Sequence, residues 1–163
     1  MPSPIQLSIV VPVFNEAESL PILHRQIQDA VVPMGITWEL ILVDDHSTDD
    51  SHAIMLDLRR NDPHLRIVRF SHNYGQTAGL AAGFDVSRGE VVVTMDGDLQ
   101  NDPADIPAMM QKMDEGYDVV AGWRKSRQDG FVLRRLPSIM ANRLIGFVTG
   151  VKIHDTGCTL KSF

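Results

Sequence analysis

The stretch Val91-Val92-Val93-Thr94-Met95-Asp96-Gly97-Asp98-Leu99-Gln100 is an apolar run that stops at two carboxylates with a glycine between them. Three consecutive β-branched valines predict a buried strand. In an open α/β sheet, ligands bind beyond the carboxyl ends of the strands, which is where Asp96 and Asp98 would stand. Two hard oxygen ligands at that place are what a Mg²⁺ or Mn²⁺ ion bridging a diphosphate requires. Asp and Gly are also ordinary turn residues, so the pair acquires meaning only from what surrounds it.

Outward from this strand the chain alternates strand and helix candidates. Leu7 to Val13 is a dense apolar run and reads as a first strand. Asn15 with Glu18 three residues on has the pattern of a capping box. The helix that follows would line up Leu20, Leu23, Ile27, Ala30 and Val31 on one face. Trp38 to Val43 reads as a second strand, followed by a helix start at Ser47-Thr48-Asp49, and Leu65 to Phe70 as a third strand. Gly75 to Val86 is a small-residue helix weakened by Gly79 and Gly83. Glu90 to Met95 is the fourth strand, Pro103 to Glu115 a helix with proline in its first turn, and Tyr117 to Ala121 a fifth strand. Arg124 to Gly130 then reads as a loop and Phe131 to Val148 as a helix. The rhythm predicts an α/β domain over residues 1–163, a mostly parallel central sheet with helices on both faces.

Composition excludes several classes. The 163 residues are 44% apolar and 22% charged, ordinary for a globular protein with a substantial core. A net charge of −6 argues against general nucleic-acid binding. Six of the fifteen Lys and Arg nevertheless fall between Arg124 and Arg143, so an anionic ligand is expected to be held there. Cys158 is the single cysteine, which rules out an internal disulfide and makes a cytoplasmic setting natural. No signal peptide and no membrane span are legible, so the chain as given reads as soluble. Composition is silent on oligomeric state.

The predicted strand ends collect acids: Glu16 after the first, Asp44 and Asp45 after the second, Asp96 and Asp98 after the fourth. Singly each has a plain reading, Glu16 as a first-turn acid and Asp44 or Asp45 as turn residues. Together at one sheet edge they repel one another, and a divalent cation relieves that repulsion. Five motifs arrive in a recognisable order: Val11-Pro12-Val13-Phe14-Asn15-Glu16, Val43-Asp44-Asp45-His46-Ser47-Thr48-Asp49, Asn73-Tyr74-Gly75-Gln76, Asp96-Gly97-Asp98-Leu99-Gln100 and Asp155-Thr156-Gly157-Cys158. In this order they resemble family 2 glycosyltransferases with the Rossmann-like GT-A fold. The Asn-x-Gly-Gln and Asp-Leu-Gln-Asn-Asp-Pro forms resemble the branch that moves sugars onto polyprenyl phosphates, which includes dolichol-phosphate mannosyltransferases and undecaprenyl-phosphate glycosyltransferases.

The resemblance implies roles. Pro12, Phe14, Glu16 and Asp45 would surround the base and ribose of a UDP- or GDP-linked sugar; Phe14 suits stacking, and a carboxylate can accept a base N–H. Asp96, Asp98 and Gln100 would hold Mg²⁺ or Mn²⁺ on the donor diphosphate. Gln76 stands where the family often has a basic residue, a departure shared by the polyprenyl-phosphate branch. Arg124, Arg134 and Ser138, with Arg135 adjacent, match the loop that grips the lipid phosphate, a task suited to the guanidinium fork; a solvated basic loop beside anionic lipid is the alternative. Asp155 matches the general base used for hydroxyl acceptors. A phosphate acceptor is already ionised, so Asp155 would there orient it or stabilise charge developing at the anomeric carbon. The resemblance also implies a catalytic domain cut short of membrane-associated helices, which in the longer protein would work at the cytoplasmic face of the membrane.

Other residues and readings carry less. His24, His52 and His64 fall on predicted helix surfaces or loops without zinc-ligand spacing, and His46, His72 and His154 fall near strand ends. Cys158 reads as a small apolar residue, and Trp123 as packing or an edge contact. Ile41 to Asp45 also resembles the acidic pair of a Mg²⁺-binding receiver domain, but there the pair ends the first strand, and neither Asp96-x-Asp98 nor the basic segment has a role. A family 2 enzyme with a hydroxyl acceptor and Asp155 as base is the nearer rival; a silent nucleotide-sugar binder would not need the metal acids, the arginines and Asp155 together.

Overall fold

Strand β1 (Leu7–Val13) runs through the middle of the sheet, and every residue of it except Pro12 is buried. A strand covered on both faces has no polar side to alternate with, which is why this apolar run could be read directly. The computed structural model describes residues 4–122 and 158–163. Trp123, the basic segment with Arg124, Arg134, Arg135 and Ser138, the expected helix from Phe131 to Val148, His154 and Asp155 lie outside the described residues.

Strands β2 (Trp38–Asp44) and β4 (Val91–Thr94) flank β1 in parallel, with Leu7 opposite Trp38 on one side and Val91 on the other. Strand β3 (Leu65–Arg69) pairs in parallel with β2. Two short strands extend the other edge, β5 (Val120–Ala121) and β6 (Lys161–Ser162), and the order is β3-β2-β1-β4-β6-β5. β6 lies antiparallel to both β4 and β5.

Helices α1 (Leu20–Val31), α2 (Ser51–Asn61) and α4 (Ile106–Asp114) cover one face. Leu20, Leu23, Ile27 and Val31 of α1, Met55 of α2, and Ile106 and Met109 of α4 form one core with Leu7, Ile9, Val11 and Val13. Each fully buried side chain of this kind contributes about 1.5–3 kcal/mol. Helix α3 (Gln76–Val86) lies on the opposite face, where Leu80, Ala82 and Val86 pack on Val10, Ile41 and Val43. The sheet is therefore mostly parallel and covered on both faces, as expected.

The glycines of α3 have a packing reason. A Cβ at Gly83 would stand 2.2 Å from Cγ1 of Val10, and one at Gly79 would stand 3.1 Å from Cβ of Pro12. The helix lies on β1 because both positions lack a side chain.

Several boundaries differ from the sequence expectation. The capping box does not form: α1 starts at Leu20 behind Ser19, with no side-chain cap, and Asn15 is used elsewhere. Helix α2 starts at Ser51 rather than at Ser47. The amides of Asn15, Glu16 and Ala17 instead donate to Ser47 Oγ, Ser51 Oγ and Asp49 Oδ2, and Asn15 Oδ1 accepts from the amides of Thr48 and Asp49. The two loops satisfy one another's backbone groups, an alternative that polar side chains offer in competition with local capping. Pro103 to Asp105 form a 3₁₀ turn ahead of α4, with Asp102 accepting from the amide of Ala104. The fifth strand shrinks to two residues, and β6 was not foreseen.

Candidate functional site

Strand order creates the site. The chain moves outward from β1 to β2 and β3, then returns to place β4 on the other side of β1. The connection through α1 covers one face and that through α3 the other, so a crevice opens at the carboxyl ends of β1 and β4, the usual place for a ligand in an open sheet. A pocket there is lined by Pro12, Val13, Phe14, Glu16, Asp45, Gln76, Asp96, Gly97 and Asp98. Pro12, Phe14, Glu16 and Asp45, the residues expected around the base and ribose, thus share one pocket with Gln76 and with Asp96 and Asp98, two of the residues expected to hold the metal. Gln100 is exposed beside it.

Backbone conformation marks the same crevice. Among the described residues, the non-glycine residues with left-handed φ are Asn15 at 57°, His46 at 62° and Leu99 at 62°. They follow β1, β2 and β4, one in each loop of the crevice. Asn and His tolerate this region comparatively well, whereas a branched leucine does not. Conformations of this kind cost about 1–3 kcal/mol and gather at ligand sites.

The acids differ sharply in their surroundings. Asp44 is fully buried and Oδ1 accepts the amide of Ser47 at 2.8 Å, the turn role that its position allowed. Its Oδ2 lies 3.1 Å from Nδ1 of His52 and 3.3 Å from Nε of Arg69. Asp45 is also buried, and its two oxygens accept the amides of Tyr74 at 2.7 Å and Gly75 at 2.8 Å. Gly75 has φ of 85°, which a side chain would strain, and it leads directly into α3. Asp45 therefore shapes the loop that delivers Gln76. Glu16 accepts from the hydroxyl of Ser19 at 2.6 Å while lining the pocket. The carboxyl of Asp49 sits below its ordinary range: burial pushes it up, but hydrogen bonds from Ser51 and the amide of Ala17 outweigh that.

Asp96 is gripped by several partners. Gln76 Nε2 donates to Oδ1 at 2.5 Å, and the hydroxyl of Thr159 donates to Oδ2, with Asn101 Nδ2 also 3.5 Å from Oδ2. Asp98 is exposed and accepts from the amide and the carboxamide of Gln100, at 3.1 and 2.8 Å. Asn101 and Thr159 were not read from the sequence as site residues. Asn101 sits in the quoted Asp-Leu-Gln-Asn-Asp-Pro run and Thr159 just beyond Cys158, but their roles depend on β6 running back alongside β4.

A metal would meet a suitable donor set here. Two carboxylates and the carboxamide oxygen of Gln100 are hard oxygen donors, as Mg²⁺ and Mn²⁺ prefer. Among the described residues, no three His, Cys, Asp or Glu side chains are grouped to hold a metal by themselves.

His24 and His64 brace the scaffold away from the pocket. Nε2 of His24 and Nδ1 of His64 lie 2.7 and 3.0 Å from the buried Asp62, and His64 stacks on Trp38. Burial pushes the Asp62 carboxyl up, but the amide of His64 and the two imidazoles hold it below the ordinary carboxylate range. His46 and His72 stack near the crevice with ring centroids 6.1 Å apart. Cys158 is buried. Among the described residues, no helix is long and apolar enough to cross a membrane.

Known proteins resemble this chain in sequence and in fold. The chain is 49% identical over 164 residues to the dodecaprenyl-phosphate galacturonate synthase of Rhizobium johnstonii, an alignment covering 98% of this chain and 48% of the relative. It is 43% identical over 164 residues to the undecaprenyl-phosphate 4-deoxy-4-formamido-L-arabinose transferase of Pseudomonas aeruginosa, covering 99% of this chain and 48% of the relative. The chain thus spans about half the length of the curated relatives it matches. Among solved structures, glucosyl-3-phosphoglycerate synthase from Mycobacterium tuberculosis in complex with UDP superposes with a TM-score of 0.70 at 19% identity, over 97% of this chain and 56% of that one. A mannosyltransferase from Pyrobaculum calidifontis, in complex with GDP-Man and Mn²⁺, superposes with a TM-score of 0.53 at 24% identity, over 59% of this chain and 30% of that one. These two share the fold. The family model described as glycosyl transferase family 2 matches residues 8–163; with the strand-end acids gathered at the β1–β4 crevice and relatives this similar along the whole chain, the protein belongs to glycosyl transferase family 2.

Proposed function

We propose that this chain is the catalytic domain of an inverting glycosyltransferase that moves a sugar from a nucleotide sugar to a polyprenyl phosphate. One observation carries the reading: Pro12, Phe14, Glu16, Asp45, Gln76, Asp96 and Asp98, drawn from four separate segments, line one pocket at the topological switch point. The two polyprenyl-phosphate transferases that align along nearly the whole chain support the acceptor class.

In this reading Phe14, which is 46% exposed at the end of β1, offers a face for the base. Asp45 holds the Tyr74-Gly75 loop as the wall of the nucleotide pocket. Asp98 and Gln100, both exposed at the pocket, are the oxygen donors for a cation on the diphosphate, and Asp96 backs them. A divalent ion held by Asp96, Asp98 and Gln100 would act as a Lewis acid on the departing diphosphate. Arg124, Arg134 and Ser138, with Arg135 beside them, grip the acceptor phosphate, which attacks C1 of the sugar in a single displacement as the nucleoside diphosphate leaves. Asp155 orients that phosphate rather than deprotonating it, because the nucleophile is already ionised. Holding the two substrates in line supplies much of the rate.

The first test is calorimetric titration of the chain with UDP and with GDP, each with and without Mn²⁺. Mn²⁺-dependent binding of one nucleotide supports the donor site and names the donor class; binding of neither overturns it. Transfer by the longer protein to a polyprenyl phosphate, lost in Arg134→Ala while donor binding stays, supports the acceptor reading. Transfer to hydroxyl acceptors alone would assign Asp155 as a base instead.

A further inference from the structure

Asp96 and Asp98 stand two residues apart but are held in different ways. Asp98 is exposed, and its hydrogen bonds come from Gln100 in the same turn. Asp96 receives donors from residues 20, 5 and 63 positions away, namely Gln76, Asn101 and Thr159. A carboxylate offers about four lone-pair sites, so three donors leave it little freedom to turn and about one direction for a further partner.

The contact with Thr159 is itself supported. The threonine hydroxyl has one proton, which goes to Asp96, and its oxygen accepts from Asn101 Nδ2 at 3.3 Å. Asn101 is 5% exposed, and its Oδ1 faces the thiol of Cys158 at 3.8 Å. The backbone carbonyl of Thr159 accepts the hydroxyl of Thr94 at 2.7 Å. The residues after it are pinned by Gly122 donating to the carbonyl of Leu160 at 2.8 Å and by the reciprocal pair between Val92 and Phe163 at 3.0 Å. A satisfied polar network of this kind specifies one arrangement.

Resting on the proposed donor site, we infer that Thr159 is a positioning residue: through its hydroxyl it holds Asp96 in the orientation from which Asp98 and Gln100 can share a cation with a diphosphate, and so couples the return segment 158–163 to donor binding. Asn101 keeps the hydroxyl aimed. The coupling is reciprocal by thermodynamic necessity: if the Thr159 contact strengthens donor binding through Asp96, donor binding stabilises that contact by the same free energy.

Thr159→Val keeps the shape of the side chain and removes its donor, while Thr159→Ser keeps the donor. Titration with UDP and with GDP is carried out with and without Mn²⁺. The expected result is Mn²⁺-dependent nucleotide binding about tenfold weaker in Thr159→Val, restored within about twofold in Thr159→Ser, with metal-free binding unchanged. Wild-type affinity in Thr159→Val overturns the proposal, and so does an equal loss with and without metal, which would mark a merely structural threonine. A second arm needs no nucleotide: amide hydrogen exchange at Gly122 and Phe163 is compared between the wild-type chain and Asp96→Ala. Exchange about tenfold faster in Asp96→Ala supports the coupling, and unchanged protection overturns it. If the wild-type chain binds neither nucleotide while the exchange result holds, the donor reading fails and the coupling of Asp96 to Thr159 stands.

Discussion

The carboxamide nitrogen of Gln76 stands 2.5 Å from Oδ1 of Asp96, so the first residue of α3 donates to the first carboxylate beyond β4. A neutral donor therefore occupies a place where a negative group would be repelled. Gln76→Glu puts two carboxylates in contact, and a divalent cation relieves that repulsion. Mn²⁺ is expected to raise the melting temperature of Gln76→Glu about 3 °C more than that of the wild-type chain, corresponding to about 1 kcal/mol for a chain of this size. An equal shift in both proteins would count against the contact.

Asp98 is the open carboxylate of the pair. Asp98→Asn keeps the shape and removes one of the two negative charges that Asp96 and Asp98 offer to a cation on the diphosphate. Mn²⁺-dependent binding of UDP or GDP is expected to be lost, with the melting temperature in the absence of metal nearly unchanged because the side chain is exposed. Calorimetry and thermal denaturation check the two halves, and unaltered nucleotide binding would refute the metal assignment.

Gly83 rests on β1 with no room for a methyl group, since a Cβ would meet Cγ1 of Val10 at 2.2 Å. Overpacking of this kind costs about 1–3 kcal/mol, and the better helix propensity of alanine offsets about 1 kcal/mol of it. Gly83→Ala is expected to lose about 1 kcal/mol in urea unfolding. Val10→Ala should cost less in the Gly83→Ala background than in the wild type, with a coupling energy of about 0.5 kcal/mol or more. Strict additivity would mean that α3 shifts away instead.

Glu39 is 1% exposed in β2, at the end of the sheet away from the pocket, and is bonded to Ser8, Arg66 and Arg88. Burial raises its pKa, but the hydrogen bonds from Arg88, Ser8 and Arg66 outweigh that and hold it at about 2, below the ordinary 4.5. A pKa lower in the folded chain contributes stability that is complete above pH of about 5 and is lost as pH falls from 4.5 toward 2. Allowing for the half-exposed guanidinium of Arg88, the contribution is about 2 kcal/mol. The stability gap between the wild type and Glu39→Gln should therefore narrow between pH 6 and pH 3 in urea unfolding. A constant gap would assign the loss to packing.

The parallel core was legible because its central strand, Leu7–Val13, is almost wholly apolar. Leu7–Val13 came out with both ends correct, since a strand buried on both faces cannot be mistaken for an amphipathic helix. The helix starts were less legible. Asn15 and Ser47-Thr48-Asp49 are good capping residues, and nothing local says that the two loops lie side by side and use those groups on each other. Strand β6 was illegible for a related reason: Lys161 and Ser162 carry no strand propensity, and they are extended because a place is open between β4 and β5. At the site, the motif residues lining the pocket could be read from their order, whereas Asn101 and Thr159 could not.

The sequence by itself determined the fold class, the family and the set of acids that meet at the strand ends, because apolar runs, turn residues and motif order are local properties of the chain. Only the tertiary structure decided that Asp45 shapes a loop, that Asp96 is held while Asp98 stays open, and that Thr159 reaches a carboxylate 63 residues away. Those assignments depend on which donor stands within about 3 Å of which oxygen, and that is settled by how the strands pair and not by any stretch of sequence alone.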